Sequence, residues 1–143
     1  MGKKKHIIKA QVIVNQDFSK KRQRVPFRHC RVETAGRKAD ITIFKETDLV
    51  LDEGVKIKAD LGYQGIEKMH KNTKIPHKKP KEGTLSKAEK KANKKLRRKR
   101  VQVEHAIRLA KVWRIVKETY RNKLRKIEEV WLVVCGLVNF EFS

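Results

Sequence analysis

Apolar residues recur at roughly every second position in two stretches near the beginning of the chain. The segments IIKAQVIV, residues 7–14, and VPFRHCRV, residues 25–32, are rich in β-branched residues, a pattern typical of strands. The polar segment NQDFSKK between them predicts a turn. Pro26 is compatible with an edge strand, where its missing N–H is tolerated. The two stretches therefore predict an antiparallel hairpin.

The next segment, AGRKADITIFKETDLVL from Ala35, changes to a near-helical period. Its apolar residues predict a short amphipathic helix, ended by Gly54, with these residues on the inner face: Ile41, Phe44 and Leu49 or Val50.

After this helix, VKIKAD alternates again and predicts a strand with Val55, Ile57 and Ala59 pointing inward. The strand ends on Asp60. A carboxylate at the C-terminal end of a strand lies where loops over an open sheet build active sites.

The second half of the chain is predicted to be mainly helical. GIEKMHK predicts a short helix, TKIPHK a brief strand and KPKEGTL a loop, before Ser86 and Glu89 form a capping box that begins a long helix. Its apolar stripe is expected to pack on the sheet and consists of Leu96, Val103, Ala106, Ile107, Ala110 and Trp113. The last apolar run, VWLVVCGLVNFEF from Val130, is shorter than the roughly 20 residues of a membrane-spanning helix. It predicts a buried closing helix.

Composition points to a polyanionic partner. The 143 residues fit a single domain and contain 38 Lys and Arg against 16 Asp and Glu, a formal charge of +22. Nucleic acid is the first candidate, and a membrane surface is less favoured because the basic residues do not lie on one amphipathic helix. Cys30 and Cys135 lack CxxC spacing, which favours free thiols in a reducing compartment. No signal-peptide pattern directs export, so a cytoplasmic location is expected.

The basic residues are concentrated in one part of the chain. Residues 68–100 contain 15 Lys and Arg and two acids. A charged run of this kind is by default a solvated face, but its density favours contact with phosphates, which requires no fixed geometry. The residues predicted to bind DNA are Lys78, Lys79, Arg97, Arg98, Arg100, Arg108 and Lys111.

Three acids have both a structural and a functional interpretation. Glu104, at the margin of the apolar stripe, could form a surface salt bridge with Arg100 or Arg108, or it could be a metal ligand held next to DNA. Asp60 could cap the following turn or bind a metal, and Asp40 could be the N-cap of the Ile41 helix. Two carboxylates from separate elements can hold Mg²⁺ or Mn²⁺, and such ions can clamp a phosphodiester during in-line displacement.

Histidine and tryptophan residues add less. His70, His77 and His105 fit no zinc-binding spacing, and they are expected to lie on the surface or contact phosphates. Trp113 and Trp131 are expected in the core rather than as platforms for base stacking.

Several motifs together resemble a known family. VKIKADLGYQGI, NTKIPHKKPKEG, RKRVQVEHAIR and the terminal GLVNFE are similar to the C-terminal part of a DDE-type transposase domain. The closest group is the bacterial insertion-sequence transposases related to the PIF/Harbinger nucleases. The resemblance implies an incomplete ribonuclease H-like α/β fold: a mixed sheet flanked by helices, with long basic C-terminal helices. It also implies that Asp60 and Glu104 are catalytic ligands of Mg²⁺ or Mn²⁺. Asp40 matches a further recurring acid, although Ala39 replaces the usual His, and is a supporting residue.

The sequence departs from the family pattern at its beginning. The first catalytic Asp is expected on a strand preceding GKKKHIIKAQVIV, residues 2–14, and Asp17, in the predicted turn, is a poor substitute. A truncated transposase is therefore expected to bind DNA, both transposon ends and target, near the bacterial nucleoid, but to catalyse poorly without an upstream fragment or the full-length transposase. The alternatives are a non-catalytic basic nucleic-acid-binding protein, such as a ribosome-associated factor, and a regulatory remnant that competes with the transposase.

Overall fold

The computed structural model describes residues 8–16, 26–34, 37–118 and 120–142. The chain divides into two compact units. Unit 1 comprises residues 1–38 and 102–143, and unit 2 comprises residues 39–101. A single domain stays a prediction. Among the described residues, no helix has the length and apolarity needed to cross a bilayer.

Unit 1 contains the predicted hairpin. Strands β1 (Lys9–Val14) and β2 (Phe27–Glu33) pair antiparallel, with Val12 opposite Cys30. The predicted turn falls largely on residues 17–25, which lie outside the described part of the chain. The register shifts between Ile13 and Val14. This bulge lets both Phe27 and Cys30 be buried although they are three residues apart, because an extra residue reverses the alternation of a strand.

The helices of unit 1 cover this hairpin. They are the C-terminal part of α2 (Lys87–Ala110), α3 (Arg114–Lys117) and α4 (Ile127–Glu141), which packs against β2. A 3-10 helix, Leu124–Lys126, leads into α4. The core comprises Phe27, Cys30, Val32, Ala106, Ala110, Ile127, Trp131, Val134, Cys135 and Val138.

The two tryptophans have different environments. Trp131 is buried, as predicted. The prediction for Trp113 is wrong, because its side chain is 40% exposed. Helix α2 ends at Ala110, so Trp113 lies beyond the stripe and serves as the N-cap of α3.

Helix α4 is buried on one face only. Trp131, Val134 and Val138 point into the core, whereas Val133 and Phe140 are 61% and 79% exposed. The prediction of a buried closing helix is therefore correct for one face of α4 only, and a second apolar face is exposed to solvent.

The two cysteines are free, as predicted, and both are buried. They lie on facing elements, Cys30 on β2 and Cys135 on α4, and their side chains are hydrogen-bonded. This hydrogen bond, together with burial, raises the pKa of Cys30. The thiol is accordingly a protonated core residue.

Unit 2 consists of short elements arranged around the beginning of α2. Helix α1 spans Asp40–Glu46, and strands β3 (Ile57–Lys58) and β4 (Thr73–Lys74) pair in parallel. Two 3-10 helices, Leu61–Tyr63 and Ile66–Lys68, lie between the strands. The predicted brief strand at TKIPHK is confirmed, and the predicted short helix at GIEKMHK is a single 3-10 turn.

Helix α1 differs from its predicted register. Ile43 and Phe44 are the buried residues, and the helix ends at Glu46, well before Gly54. Val55, predicted to point inward from the next strand, is 45% exposed, so that prediction is wrong. Val50, predicted for the inner face of this helix, is 94% exposed. The near-helical spacing of apolar residues therefore continued past the true end of the helix.

The described strands form two separate two-stranded sheets, β1–β2 and β3–β4. The mixed α/β class is confirmed, with small sheets and helices in both units.

Helix α2 begins at the predicted capping box. The Ser86 N–H donates to Glu89 Oε2 at 2.8 Å, and the Glu89 N–H donates to Ser86 Oγ at 3.2 Å. The hydrogen bonds that the Glu89 carboxylate accepts from the backbone and the side chain of Ser86 lower its pKa. Local sequence thus fixes the start of the helix that carries Arg100 and Glu104.

Candidate metal and nucleic-acid site

Asp60 lies directly beyond the parallel strand pair. The Ala59 N–H donates to the Lys74 carbonyl at 3.1 Å, which continues the pairing of β3 with β4 by one residue. Asp60 then begins the 3-10 helix, and its Oδ1 accepts a hydrogen bond from the Leu61 N–H at 2.7 Å. The predicted strand that delivers a carboxylate at its C-terminal end is present, and the predicted capping role of this acid is also present.

Arg100 holds both oxygens of the same carboxylate. Its Nη1 donates to Asp60 Oδ1 at 3.0 Å, and its Nη2 donates to Oδ2 at 2.8 Å. The Asp60 side chain is 50% exposed and that of Arg100 is 31% exposed. The pair is bidentate, the geometry in which a guanidinium matches a carboxylate best, and solvent reaches both groups.

Asp40 approaches the turn that follows Asp60. The N-cap of α1 is Ala39, and Asp40 is the first helical residue, so the N-cap interpretation of Asp40 is wrong. A Cβ added at Gly62 would lie 2.5 Å from Asp40 Oδ2. The glycine therefore leaves room for this carboxylate beside the ADLGY turn.

The rest of this turn is fixed by a second glycine and an aromatic contact. Gly65 has φ of +94°, a left-handed conformation that favours glycine. The rings of Tyr63 and Phe44 meet edge to face with centroids 6.3 Å apart. The turn after Asp60 is thus attached to the buried face of α1.

The part of α2 in unit 2 makes its contacts mainly through polar side chains. Glu89, Asn93, Leu96 and Arg100 follow one another at spacings of four, three and four residues, which places them on one face of a helix. Leu96 is buried, whereas Glu89 and Arg100 contact His77 and Asp60. Apolar periodicity reveals only Leu96 on this face.

Asn93 attaches the basic loop to α2. Its Oδ1 accepts from the His77 N–H at 2.8 Å, and its Nδ2 donates to the His77 carbonyl at 3.0 Å. Both hydrogen-bonding groups of one loop residue are therefore held by one amide. Lys78 and Lys79 follow directly, and both are exposed.

Comparison with known proteins assigns the chain to a family. Residues 2–139 match the model of the DDE superfamily endonuclease family. The chain belongs to the DDE superfamily of endonucleases. It is also 36% identical over 138 residues to a protein named as a probable transposase for insertion sequence element IS702 of Microchaete diplosiphon. The alignment covers 96% of this chain and 48% of that protein, so the chain spans about half the length of the relative. No solved structure matches.

These matches confirm the resemblance to a DDE-type insertion-sequence transposase. Asp60 lies in unit 2 and Glu104 lies in unit 1. The convergence of these two carboxylates in a shared cleft stays a prediction.

Glu104 lies on α2 and is exposed. The surface salt bridges considered for it are not formed, because Arg100 is engaged by Asp60 and Arg108 makes no ion pair with Glu104. Within the described part of the chain, the Glu104 carboxylate has no hydrogen-bond or ion-pair partner.

The predicted DNA-binding cations are accessible in both units. In unit 2, Lys78, Lys79, Arg97 and Arg98 are exposed and Arg100 is half-buried; in unit 1, Arg108 and Lys111 are exposed. Their binding to DNA stays a prediction.

The histidines are corrected in part. His70 is buried, and its Nε2 lies 3.1 Å from the Asp52 carbonyl oxygen, so its prediction as a surface residue is wrong. His77 is exposed, with its Nδ1 3.9 Å from Glu89 Oε1. Across the described ranges, no group of three or more His, Cys, Asp or Glu side chains is placed to hold a metal ion.

Sequence reasoning missed Asn93, Gly62 and the partner of Arg100. Two signals could have found the asparagine and the glycine, whereas none marks the partner of Arg100. The asparagine falls at the same helical spacing as Leu96 and Arg100, and the glycine follows an acid directly after a strand, where a backbone often needs close approach.

Proposed function

We propose that this chain supplies two metal-binding carboxylates and a DNA-binding surface to a DDE transposase, which cleaves DNA and transfers the cut strand. The family match over residues 2–139 supports this proposal, as does the similarity to a protein named as a probable transposase. In this proposal the two units are parts of a ribonuclease H-like fold. The observation that carries the proposal is the Asp60 carboxylate, which lies at a strand end with both oxygens on one cation.

Asp60 and Glu104 are the proposed ligands of Mg²⁺ or Mn²⁺. The fit rests on the chemistry of the two side chains. Both offer carboxylate oxygens, which these hard cations prefer, and Asp60 already binds a positively charged group with both oxygens. Two protein carboxylates with water completing the coordination are typical of Mg²⁺ sites. Arg100 and Glu104 are four residues apart on α2, and side chains at this spacing project from the same face of a helix.

Each group of residues has its own task in this proposal. A bound divalent cation would activate the attacking water or hydroxyl and stabilise the charge on the phosphate oxygens. Asp60 and Glu104 hold cationic groups at the reacting phosphodiester, and Asp40 supports the turn that carries Asp60. Lys78, Lys79, Arg97, Arg98, Arg100, Arg108 and Lys111 hold the DNA backbone. They position the DNA without reading its sequence.

Catalysis in this proposal also needs a third acid. Among the described residues, no group of three or more His, Cys, Asp or Glu side chains is placed to hold a metal ion, and Asp17 lies outside them. The relative is about twice as long as the aligned region, so the remaining part of a full-length transposase is the proposed source of this acid and of the partner surface.

The test compares Mn²⁺ binding and DNA cleavage in matched variants. The variants Asp60→Asn and Glu104→Gln are expected to weaken Mn²⁺ binding, measured by electron paramagnetic resonance. The matched controls Asp48→Asn and Glu67→Gln make the same chemical changes at other exposed acids and are expected to leave Mn²⁺ binding unchanged. Mixing the chain with the unmatched half of the IS702 transposase is expected to produce Mn²⁺-dependent plasmid cleavage. Cleavage that persists in both site variants would contradict the assignment.

A second candidate function is DNA binding without catalysis, as a regulator that competes with a full-length transposase. The observation that favours it is the Asp60 carboxylate, both of whose oxygens accept hydrogen bonds from Arg100 of the same chain. The two candidates differ in one measurement. A pure competitor binds DNA with an affinity that falls with salt, inhibits a full-length transposase and shows no Mn²⁺ binding that depends on Asp60.

A further inference from the structure

Both oxygens of the Asp60 carboxylate accept hydrogen bonds from groups of its own chain. Oδ1 accepts from the Leu61 N–H and from Arg100 Nη1, and Oδ2 accepts from Arg100 Nη2. The three distances are 2.7, 3.0 and 2.8 Å. A carboxylate that accepts a bidentate guanidinium in this way presents its outer edge to that cation.

A guanidinium and a divalent cation compete for this edge. Both need the same lone pairs, and a second positive charge placed within a few ångströms of the first is repelled by it. The Leu61 hydrogen bond, in contrast, comes from the backbone of the turn and orients the carboxylate without adding a full charge. Metal coordination at this edge of Asp60 therefore requires Arg100 to move away, while the Leu61 hydrogen bond can remain.

We propose that Arg100 is a positioning residue that occupies the cation position at Asp60, that a divalent cation displaces it, and that the released guanidinium then binds a DNA phosphate. This inference rests on the proposed function, since it takes Asp60 to be a metal ligand. Arg100 lies on α2 beside Arg97 and Arg98, which are exposed, so the released side chain adds to a surface that is already basic.

The exchange couples metal binding to DNA binding. Metal at Asp60 frees a cation for DNA, and by thermodynamic linkage DNA bound to Arg100 raises the affinity of Asp60 for metal by the same factor. Exposed ion pairs contribute about 0.2–1 kcal/mol, which limits the factor to about fivefold. The half-exposed, bidentate geometry of this pair places it toward the upper end of that range.

Arg100 could instead act as a structural anchor that holds Asp60 ready for metal. The two roles predict opposite effects of removing the guanidinium. If Arg100 competes with the metal, removing its guanidinium raises the metal affinity of Asp60. If Arg100 anchors Asp60, removing the guanidinium lowers that affinity. The Leu61 hydrogen bond favours the first result, because Asp60 keeps one orienting partner when Arg100 is absent.

The experiment measures Mn²⁺ affinity by electron paramagnetic resonance in the wild type and in Arg100→Gln, Arg100→Lys, Arg125→Gln and Asp60→Asn. Arg125→Gln removes the same charge at an exposed residue of unit 1. We expect Arg100→Gln to bind Mn²⁺ about two- to fivefold more tightly than Arg125→Gln, and Arg100→Lys to be intermediate because lysine cannot form the bidentate pair. Circular dichroism establishes that each variant is folded.

A second arm measures duplex DNA affinity by fluorescence anisotropy with and without Ca²⁺. We expect Ca²⁺ to raise the DNA affinity of the wild type and of Arg125→Gln relative to its effect on Arg100→Gln. Mn²⁺ affinity that is unchanged or reduced in folded Arg100→Gln overturns the inference while leaving Asp60 as a ligand. Mn²⁺ binding that is the same in Asp60→Asn as in the wild type overturns the proposed function and the inference with it.

Discussion

The side-chain amide of Asn139 on α4 binds both backbone groups of Phe27 at the start of β2. The Phe27 N–H donates to Asn139 Oδ1 at 2.9 Å, and Asn139 Nδ2 donates to the Phe27 carbonyl at 2.8 Å. The residues are 112 positions apart. An asparagine of the GLVNFE motif thus fastens the last helix of unit 1 to its hairpin, beside the point where the bulge ends.

Replacing this asparagine should destabilise unit 1. Asn139→Ala leaves both Phe27 groups without these partners in a partly buried position, and we expect a loss of about 1–3 kcal/mol in the free energy of unfolding. Urea denaturation followed by Trp131 fluorescence measures it. Asn122→Ala, at an exposed asparagine, is the matched control and should change stability by less than about 0.5 kcal/mol. Equal effects of the two substitutions would show that the clamp has no energetic role.

The contact between Gly62 and Asp40 makes a second prediction. Gly62→Ala places a methyl group 2.5 Å from the present position of Asp40 Oδ2, so the carboxylate must move. We expect a loss of about 1 kcal/mol in unfolding free energy, at the low end for an added group because a side-chain end can shift. Gly136→Ala on α4 meets no atom within 4 Å and should stabilise the protein by about 0.5–1 kcal/mol.

A double-mutant cycle separates this contact from other effects of Gly62. In an Asp40→Ala background the added methyl group has no carboxylate to displace, so the penalty of Gly62→Ala should disappear. A coupling energy of at least about 0.5 kcal/mol between the two positions is expected. If the two substitutions are additive, Asp40 is not what requires the glycine.

Features that depend on a few neighbouring residues could be predicted from the sequence. The Ser86 and Glu89 capping box, the hairpin and the strand before Asp60 are of this kind, because each is specified by side chains within one element or one turn. The register of α1 was predicted less well. Its apolar spacing continues to Val50, and nothing in the pattern marks the end of the helix at Glu46.

Contacts between distant polar groups could not be predicted in the same way. Arg100 is one of many basic residues in residues 68–100, and only the fold selects it as the partner of Asp60, 40 positions away. Asn93 and His77 are likewise brought together by folding. Hydrophobic periodicity reports which face of a helix is apolar. The part of α2 that belongs to unit 2 contacts the other elements of that unit largely through polar side chains.

His29 predicts a dependence of stability on acid. Burial lowers its pKa first, the nearby positive charge of Arg31 lowers it further, and Glu128 of α4 opposes them. Within the described residues, its buried Nε2 has no hydrogen-bond partner. Because the pKa is lower in the folded state, the unfolded chain takes up the proton first as the pH falls. The stabilising contribution is present above the ordinary histidine pKa of about 6.5 and is lost as the pH falls through the folded value.

The variant His29→Gln isolates this contribution, since glutamine does not titrate. Unfolding free energy measured between pH 8 and pH 4 should decrease more steeply with falling pH in the wild type than in His29→Gln. The difference should begin to develop near pH 6.5. Parallel curves for the two proteins would mean that His29 has the same proton affinity in both states.

The last prediction concerns the attachment of the basic loop to α2. Asn93 holds the His77 backbone at 2.8 and 3.0 Å and so fixes the position of Lys78 and Lys79 relative to the helix. Asn93→Ala leaves every charge in place but frees the loop. If the two lysines contact phosphates as proposed, the variant should bind duplex DNA about two- to tenfold more weakly, with a shallower dependence of affinity on salt.

Two further variants decide whether this effect passes through the lysines. Lys78→Gln with Lys79→Gln removes the charges directly, and adding Asn93→Ala to that protein should then have no further effect on DNA affinity. Asn122→Ala again serves as the asparagine control. Fluorescence anisotropy at several salt concentrations measures the DNA affinity of the wild type and of all four variants. Asn93→Ala could instead weaken DNA binding equally with and without the two lysine charges, which would place the effect in unit 2 as a whole. Loss of a clamp that acts through Lys78 and Lys79 cannot weaken binding once their charges are gone.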